Sequence, residues 1–87
     1  MTRWTVETSH EFDKTLRKLD RVVARRVIAF LDELAALDDP RSRGKQLTGD
    51  LSEFWRYRIG DYRVLARIDD ESIVIVGVRL GHRSRIY

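Results

Sequence analysis

Between Phe54 and Ile68 the chain reads FWRYRIGDYRVLARI, two alternating runs joined by Gly60-Asp61, and few folds accept that pattern. A strand sends successive side chains to opposite faces, so Arg56 and Arg58 lie on one side while Trp55, Tyr57 and Ile59 lie on the other. A Gly-X pair between alternating runs predicts a two-residue hairpin turn. Ile59 then pairs with Tyr62, Arg58 opposes Arg63, and Arg56 opposes Leu65. Three guanidiniums share one face. The opposite face collects Trp55, Tyr57, Ile59, Tyr62, Val64, Ala66 and Ile68, enough apolar surface to pack against helices. Like charges directly opposite one another cost a strand pair about 0.2–1 kcal/mol, so the arrangement points to an anionic group on this face in the working protein. An ordinary solvated face, or edge charges that discourage aggregation, would give the same pattern.

Upstream, Trp4–Val6 reads as a short first strand. Thr8 followed by Glu11 fits a capping box, in which the hydroxyl accepts from an early helical amide and the carboxylate reaches back. Phe12, Leu16 and Leu19 recur at helical spacing. Asp20 offers the N-cap of a second helix, with Val23, Val27, Phe30, Leu31, Leu34 and Leu37 as its apolar stripe. That helix should stop ahead of Pro40, because proline disfavours helical geometry in the residue before it. The basic residues of the helices (Lys14, Arg17, Lys18, Arg21, Arg25, Arg26) are interspersed with acids and read as a solvated face. Residues 40–53, PRSRGKQLTGDLSE, read as a loop. Strands are expected over 54–59, 62–69 and 72–80. The last, SIVIVGVRL, is apolar on both parities and suits a central position, with Gly77 marking a bulge or a close approach. The expected class is α+β, in the order β-α-α-β-β-β, with a two-helix hairpin packed on one face of a four-stranded, mostly antiparallel sheet.

The 87 residues make one expected domain spanning 1–87, and a hydrophobic content of 43% argues for folding. With no cysteine, neither a disulfide nor a thiolate zinc site reinforces it. MTRWTVETSHEF lacks the apolar run of a signal peptide, and no stretch approaches the roughly 20 apolar residues of a membrane span. The expected location is cytoplasmic, with no membrane partner. The net charge of +3 is unevenly spread: residues 1–40 hold seven Lys/Arg against eight Asp/Glu, residues 41–87 ten against six. Such asymmetry favours a polyanionic partner, nucleic acid above all.

There is no P-loop, no dinucleotide fingerprint and no HExxH. His10 and His82 lie far apart without an accompanying acidic cluster, so neither a metal nor any other cofactor is expected. What clusters is arginine: Arg83 and Arg85 join His82 and Tyr87 at the end of the last strand. Guanidinium stays protonated at ordinary pH and binds phosphate through a planar bidentate fork. Such groups suit holding RNA and stabilising the extra charge of a phosphorane-like transition state. Proton transfer falls to other groups. His82, of an ordinary pKa near 6.5, is one candidate. Tyr87 is the other, with a stacking role against a base equally open to it.

The segment LTGDLSEFWRYRIGDYRVLARIDDESIVIVGVRLGHRSRIY resembles the carboxy-terminal half of RelE-type toxins of the RelE/ParE superfamily, and the preceding βαα layout extends the likeness along nearly the whole chain. G-D-Y-R-V-L, the D-D-E turn and the terminal G-H-R-x-x-x-Y are its most specific parts. The resemblance implies a metal-independent, ribosome-dependent endoribonuclease. It would cleave messenger RNA in the decoding site, leave a 2′,3′-cyclic phosphate, and be held inactive by an antitoxin. By position, Arg56 and Arg58 stand where well-known members have two active-site lysines. Arg63 matches a phosphate-binding arginine, Arg83 an arginine credited with transition-state or leaving-group stabilisation, and Tyr87 a tyrosine that stacks on the base or assists the 2′-hydroxyl. Some relatives use a loop glutamate as base, and the nearest matching position here is Lys45. Arginine for both lysines disfavours a base role at Arg58, because arginine practically cannot lose its proton.

The working expectation is therefore phosphate clamping by Arg58, Arg63 and Arg83, with His82 or Tyr87 moving the proton and Arg56, Lys45 and Arg85 adding RNA contacts. Expected partners are the antitoxin, the ribosome with its mRNA, and operator DNA only through the antitoxin complex. Two other functions fit the resemblance: a ParE-like inhibitor of DNA gyrase without nuclease activity, or a degenerate module that only binds antitoxin or RNA.

Overall fold

The computed structural model describes residues 3–85. Its elements run β1 (Thr5–Thr8), α1 (His10–Lys18), α2 (Arg21–Ala36), β2 (Lys45–Gln46), β3 (Phe54–Ile59), β4 (Tyr62–Asp69) and β5 (Val74–His82), with 3-10 turns at Pro40–Arg43 and Gly49–Leu51. The strands form one sheet of order β1-β5-β4-β3-β2. β1 runs parallel to β5, and every other pairing is antiparallel. The α+β class and the element order match expectation, with five strands rather than four. The extra strand arises inside the expected loop, where Lys45 pairs with Arg56 and Gln46 with Trp55. Its own sequence has no alternation to announce it. The unpaired backbone edge of β3 recruits it, since exposed N–H and C=O groups on a strand edge accept any segment that can reach them.

The first helix begins one residue later than the capping-box reading. Thr8 is still a strand residue, paired with Gly77, so Ser9 becomes the cap and its Oγ accepts from the Phe12 N–H at 3.0 Å. Thr8 instead donates its hydroxyl to Asp13. The first strand is likewise displaced toward the helix. Trp4 is not in it: its N–H donates to the Ala35 carbonyl at 2.9 Å, and its side chain is buried beneath the end of α2. Asp20 caps α2 as expected, accepting from Val22 N–H at 3.2 Å, and the helix ends at Ala36, well short of Pro40.

One apolar cluster fastens the helices to the sheet. Phe12 from α1 and Val27, Leu31 and Leu34 from α2 meet Tyr57, Ile59, Val64, Ala66 and Ile75, all buried. The β3 and β4 residues among these have the parity assigned to the apolar face, so the helices cover that side of the sheet. Tyr57 is the largest of the fully buried side chains. Its ring meets Phe30 edge-on at 5.8 Å, and its hydroxyl donates to the Pro40 carbonyl at 2.8 Å. Burial pushes the phenol up to about 12, with the nearby Arg41 cation opposing and Asp39 adding to the shift. That hydrogen bond satisfies the hydroxyl and pins the 40–43 turn against the sheet.

Candidate functional site

The β3–β4 hairpin turns on Gly60, whose φ of +59° is a conformation that glycine adopts without penalty. Ile59 pairs with Tyr62, Arg58 with Arg63, Tyr57 with Val64 and Arg56 with Leu65. Paired residues share a face, so Arg56, Arg58 and Arg63 stand together on the side away from the helices. Leu65 lies among them, yet is only 6% exposed. Since the helices are on the other side, its cover comes from its neighbours' side chains, as long cationic stems do when they lie along apolar surface.

The individual arginines are held differently. Arg63 is half-buried and folds back on the turn, its Nη1 donating to the carbonyls of Gly60 and Tyr62, each at 3.0 Å. Arg58 is exposed and makes no hydrogen bond or ion pair among the described residues. Together with Arg56, Arg43, Gly44 and Lys45 it lines a hollow of about 250 Å³. Arg43 is tethered to Glu33 at 3.1 Å. The β2 strand puts Lys45 directly beside Arg56 in this hollow.

At the far end of β5, Arg83 comes to the same turn. Its N–H donates to the Asp61 carbonyl at 2.8 Å, and its Nε lies 3.9 Å from the Asp61 carboxylate, both side chains being well exposed. Exposed pairs at that distance hold weakly, so the guanidinium can be surrendered to a stronger anion. Arg58, Arg63 and Arg83 thus occupy one corner of the sheet. Arg85, also exposed, is set by its N–H donating to the His82 carbonyl at 2.8 Å.

His82 takes a different place. It pairs with Tyr62, on the parity of Ile59 rather than that of Arg58 and Arg63. The two rings meet edge-on at 5.6 Å, and Nδ1 is engaged with the Ser84 hydroxyl at 2.9 Å and the Ser84 N–H at 3.3 Å. Tyr87 lies outside the described residues. Among those residues no three His, Cys, Asp or Glu side chains converge as metal ligands would. No helix there is long and apolar enough to cross a membrane.

Three further cations belong to this face or its rim and were not anticipated. Arg43 carried a faint signal, two residues before Lys45 in the basic run R-S-R-G-K. Arg67 continues the alternation of Arg63 and pairs with Phe54. Arg79 pairs with Leu65, a relationship that no local pattern discloses. A second hollow, of about 470 Å³, lies at the β4–β5 turn and is lined by Asp69, Asp70 and Glu71 with Arg67, Ile68 and Val76. Three carboxylates make it a poor receptor for an anion. The arrangement as a whole presents permanently charged guanidinium hydrogen-bond donors on an open sheet face, concentrated between the Gly60 turn and β2.

Comparison with known proteins places this geometry in a family. Residues 6–87 match the family described as ParE toxin of type II toxin-antitoxin system, parDE. Toxin RelG of Mycobacterium tuberculosis is 37% identical over 79 residues, covering 87% of this chain and 91% of the relative. In the toxin-antitoxin complex RelBE2 of the same organism, one chain superposes with a TM-score of 0.86 at 33% identity, covering 97% of this chain and 95% of that one. The archaeal RelE-RelB complex of Pyrococcus horikoshii gives a TM-score of 0.76 at 31% identity, covering 95% and 98%. With the family match running over residues 6–87 of the chain and the fold shared at this identity, the chain belongs to the RelE/ParE superfamily of type II toxin–antitoxin toxins.

Proposed function

We propose that this toxin is a metal-independent endoribonuclease that cleaves messenger RNA on the ribosome. The observation that carries the reading is the direct opposition of Arg58 and Arg63 across β3 and β4, with the Arg83 backbone tied to the same turn. Packing two like charges opposite each other weakens the hairpin, and a phosphodiester between them removes the repulsion. The 2′-hydroxyl of one nucleotide attacks the adjacent phosphorus. A 2′-O–P bond forms, the P–O5′ bond breaks, and the products are a 2′,3′-cyclic phosphate and a 5′-hydroxyl. Arg58 and Arg63 neutralise the non-bridging oxygens as charge accumulates, and Arg83 stabilises the departing 5′-oxygen. Arg56, Lys45 and Arg85 hold neighbouring phosphates.

The arginines cannot take the 2′ proton, because guanidinium does not release its own near neutral pH. That role falls to Tyr87 or His82, which passes the proton on to the departing 5′-oxygen to complete the 5′-hydroxyl. The pairing of His82 with Tyr62, and the engagement of its Nδ1 by Ser84, favour Tyr87 for that role.

A cognate antitoxin is the natural regulator, since the matched RelBE2 and RelE-RelB chains are each seen in complex with one. A basic, partly apolar sheet face suits an acidic, amphipathic segment that folds as it binds. Operator DNA would be reached only through that complex, and the working compartment is the cytoplasm. Primer extension on a translated transcript, after expression of the chain with and without Arg63→Ala, tests the reading. Discrete breaks within ribosome-occupied codons that vanish in the variant are the expected result.

The family description also names ParE toxins, and gyrase inhibition is accordingly the second reading. Loss of supercoiling activity in a purified gyrase assay, with translated transcripts left intact, would replace the first reading by this one.

A further inference from the structure

β4 and β5 change register between Leu65 and Ala66. Leu65 pairs with Arg79 but Ala66 pairs with Gly77, which leaves Val78 as the extra residue of a bulge. One extra residue reverses the face taken by the side chains that follow it. Before the bulge, Ile75 is part of the core, and Gly77 lies beneath Phe12, whose Cε2 would be 3.2 Å from a Cβ built there. Unbroken alternation would send Arg79 to that same side, under the helices. The bulge sends it to the open face, where it is exposed and makes no hydrogen bond or ion pair among the described residues.

The bulge is held from the helix side. Ser9 donates its N–H to the Gly77 carbonyl at 2.8 Å and its hydroxyl to the Val78 carbonyl at 2.6 Å, while the same oxygen accepts from Phe12 N–H. The first turn of α1 therefore sets the register that aims Arg79. On the open face, Arg56 and Arg79 flank Leu65 from either side. Adjacent strands lie about 4.8 Å apart, so these two backbones are about 10 Å apart, far enough for their guanidiniums to reach different phosphates. One row further, the half-buried ring of Phe54 sits beside exposed Arg67. An aromatic ring set among cationic groups on an open sheet face suits a single-stranded nucleic acid, whose bases stack while its phosphates pair.

We propose that Arg79 is a further phosphate-binding residue, extending the RNA-binding face onto β5 beyond the scissile phosphate. It rests on the RNA-cleaving reading and adds a contact to it. The test is fluorescence anisotropy of a labelled single-stranded RNA of mixed sequence with the full chain over a salt series. Each phosphate contact on a single strand contributes about 0.7 to the slope of log K against log salt. Arg79→Gln should weaken binding severalfold and lower the slope by about that amount, Arg79→Lys should restore the slope, and Arg21→Gln on the helix should leave it alone. Because Arg79 is exposed, thermal melting should be the same for all the variants.

An unchanged slope in Arg79→Gln overturns the proposal. So does an equal loss in Arg21→Gln, a failure of the unaltered chain to bind RNA in a salt-dependent way, or a loss seen only with polyglutamate in place of RNA. If the unaltered chain binds RNA but leaves translated messages intact, the cleavage reading falls, and the slope still decides Arg79.

Discussion

Gly44 lies so close against the ring of Tyr57 that a Cβ there would stand 2.8 Å from Cε1 and 2.9 Å from Cζ. The ring cannot withdraw, because its hydroxyl is bound to the Pro40 carbonyl and its far side is packed in the core. Gly44 also separates Arg43 from Lys45, the two loop cations of the hollow shared with Arg56 and Arg58. Close packing of backbone on ring is what carries these charges to the sheet.

Gly44→Ala should therefore destabilise the chain by about 1–3 kcal/mol, the usual cost of forcing extra volume into a packed contact. It should also displace Lys45 and weaken RNA binding. Urea denaturation checks the first effect and anisotropy the second. A variant as stable as the parent would mean that the loop is not packed as described.

The Tyr57 phenol ties stability to alkaline pH. Its folded pKa is raised from 10.0 to about 12, so below pH 10 it is protonated in both states and burial costs nothing in protons. Above that, the unfolded chain loses its proton first, and stability falls as pH rises through 10 toward 12. Tyr57→Phe should remove this alkaline loss. At neutral pH the same change should cost about 1–2 kcal/mol, because the buried Pro40 carbonyl loses its donor. Thermal melts across the alkaline range, run on both proteins, give the comparison.

Arg58 and Arg63 should trade stability against activity unequally. Arg58 has no partner among the described residues, so Arg58→Thr should relieve repulsion and stabilise the hairpin by up to about 1 kcal/mol. Arg63 also holds the Gly60 and Tyr62 carbonyls, so Arg63→Ala should show no such gain. Both should lower cleavage of translated mRNA by about 100-fold or more, the usual effect of removing a transition-state donor. Denaturant midpoints and single-turnover cleavage rates measured on the same preparations test the pair.

Ile73 has a φ of +55°, a left-handed conformation that costs a β-branched residue roughly 1–2 kcal/mol. It is 46% exposed, so little core packing depends on it, and its carbonyl accepts from Thr5 N–H at 3.0 Å whatever the side chain. Ile73→Asn should stabilise by about 1 kcal/mol, a rise of about 4–8 °C in Tm for a chain of this size. Differential scanning calorimetry would show it, and an unchanged or lower Tm would count against strain at this turn.

Local chemistry was enough to read the centre of the protein from its sequence. The period-2 alternation and the Gly60-Asp61 pair determine the β3–β4 register, because a slip of one residue would drive either Arg56 and Arg58 of β3 or Arg63 of β4 into the core and Tyr57 or Val64 into water. Asp20 starts α2 for an equally local reason, whereas the helix stops at Ala36, short of Pro40. Only the tertiary structure decided the rest. The strand at Lys45–Gln46 exists because the β3 edge is within reach, and Ser9 displaces Thr8 as the cap because Thr8 is needed to pair with Gly77. The faces of Arg79 and His82 depend on where β5 bulges against β4. Val74–Val78 is apolar on both parities, so its own sequence prefers neither register, and contacts from Ser9 and Phe12, more than sixty residues upstream, make the choice.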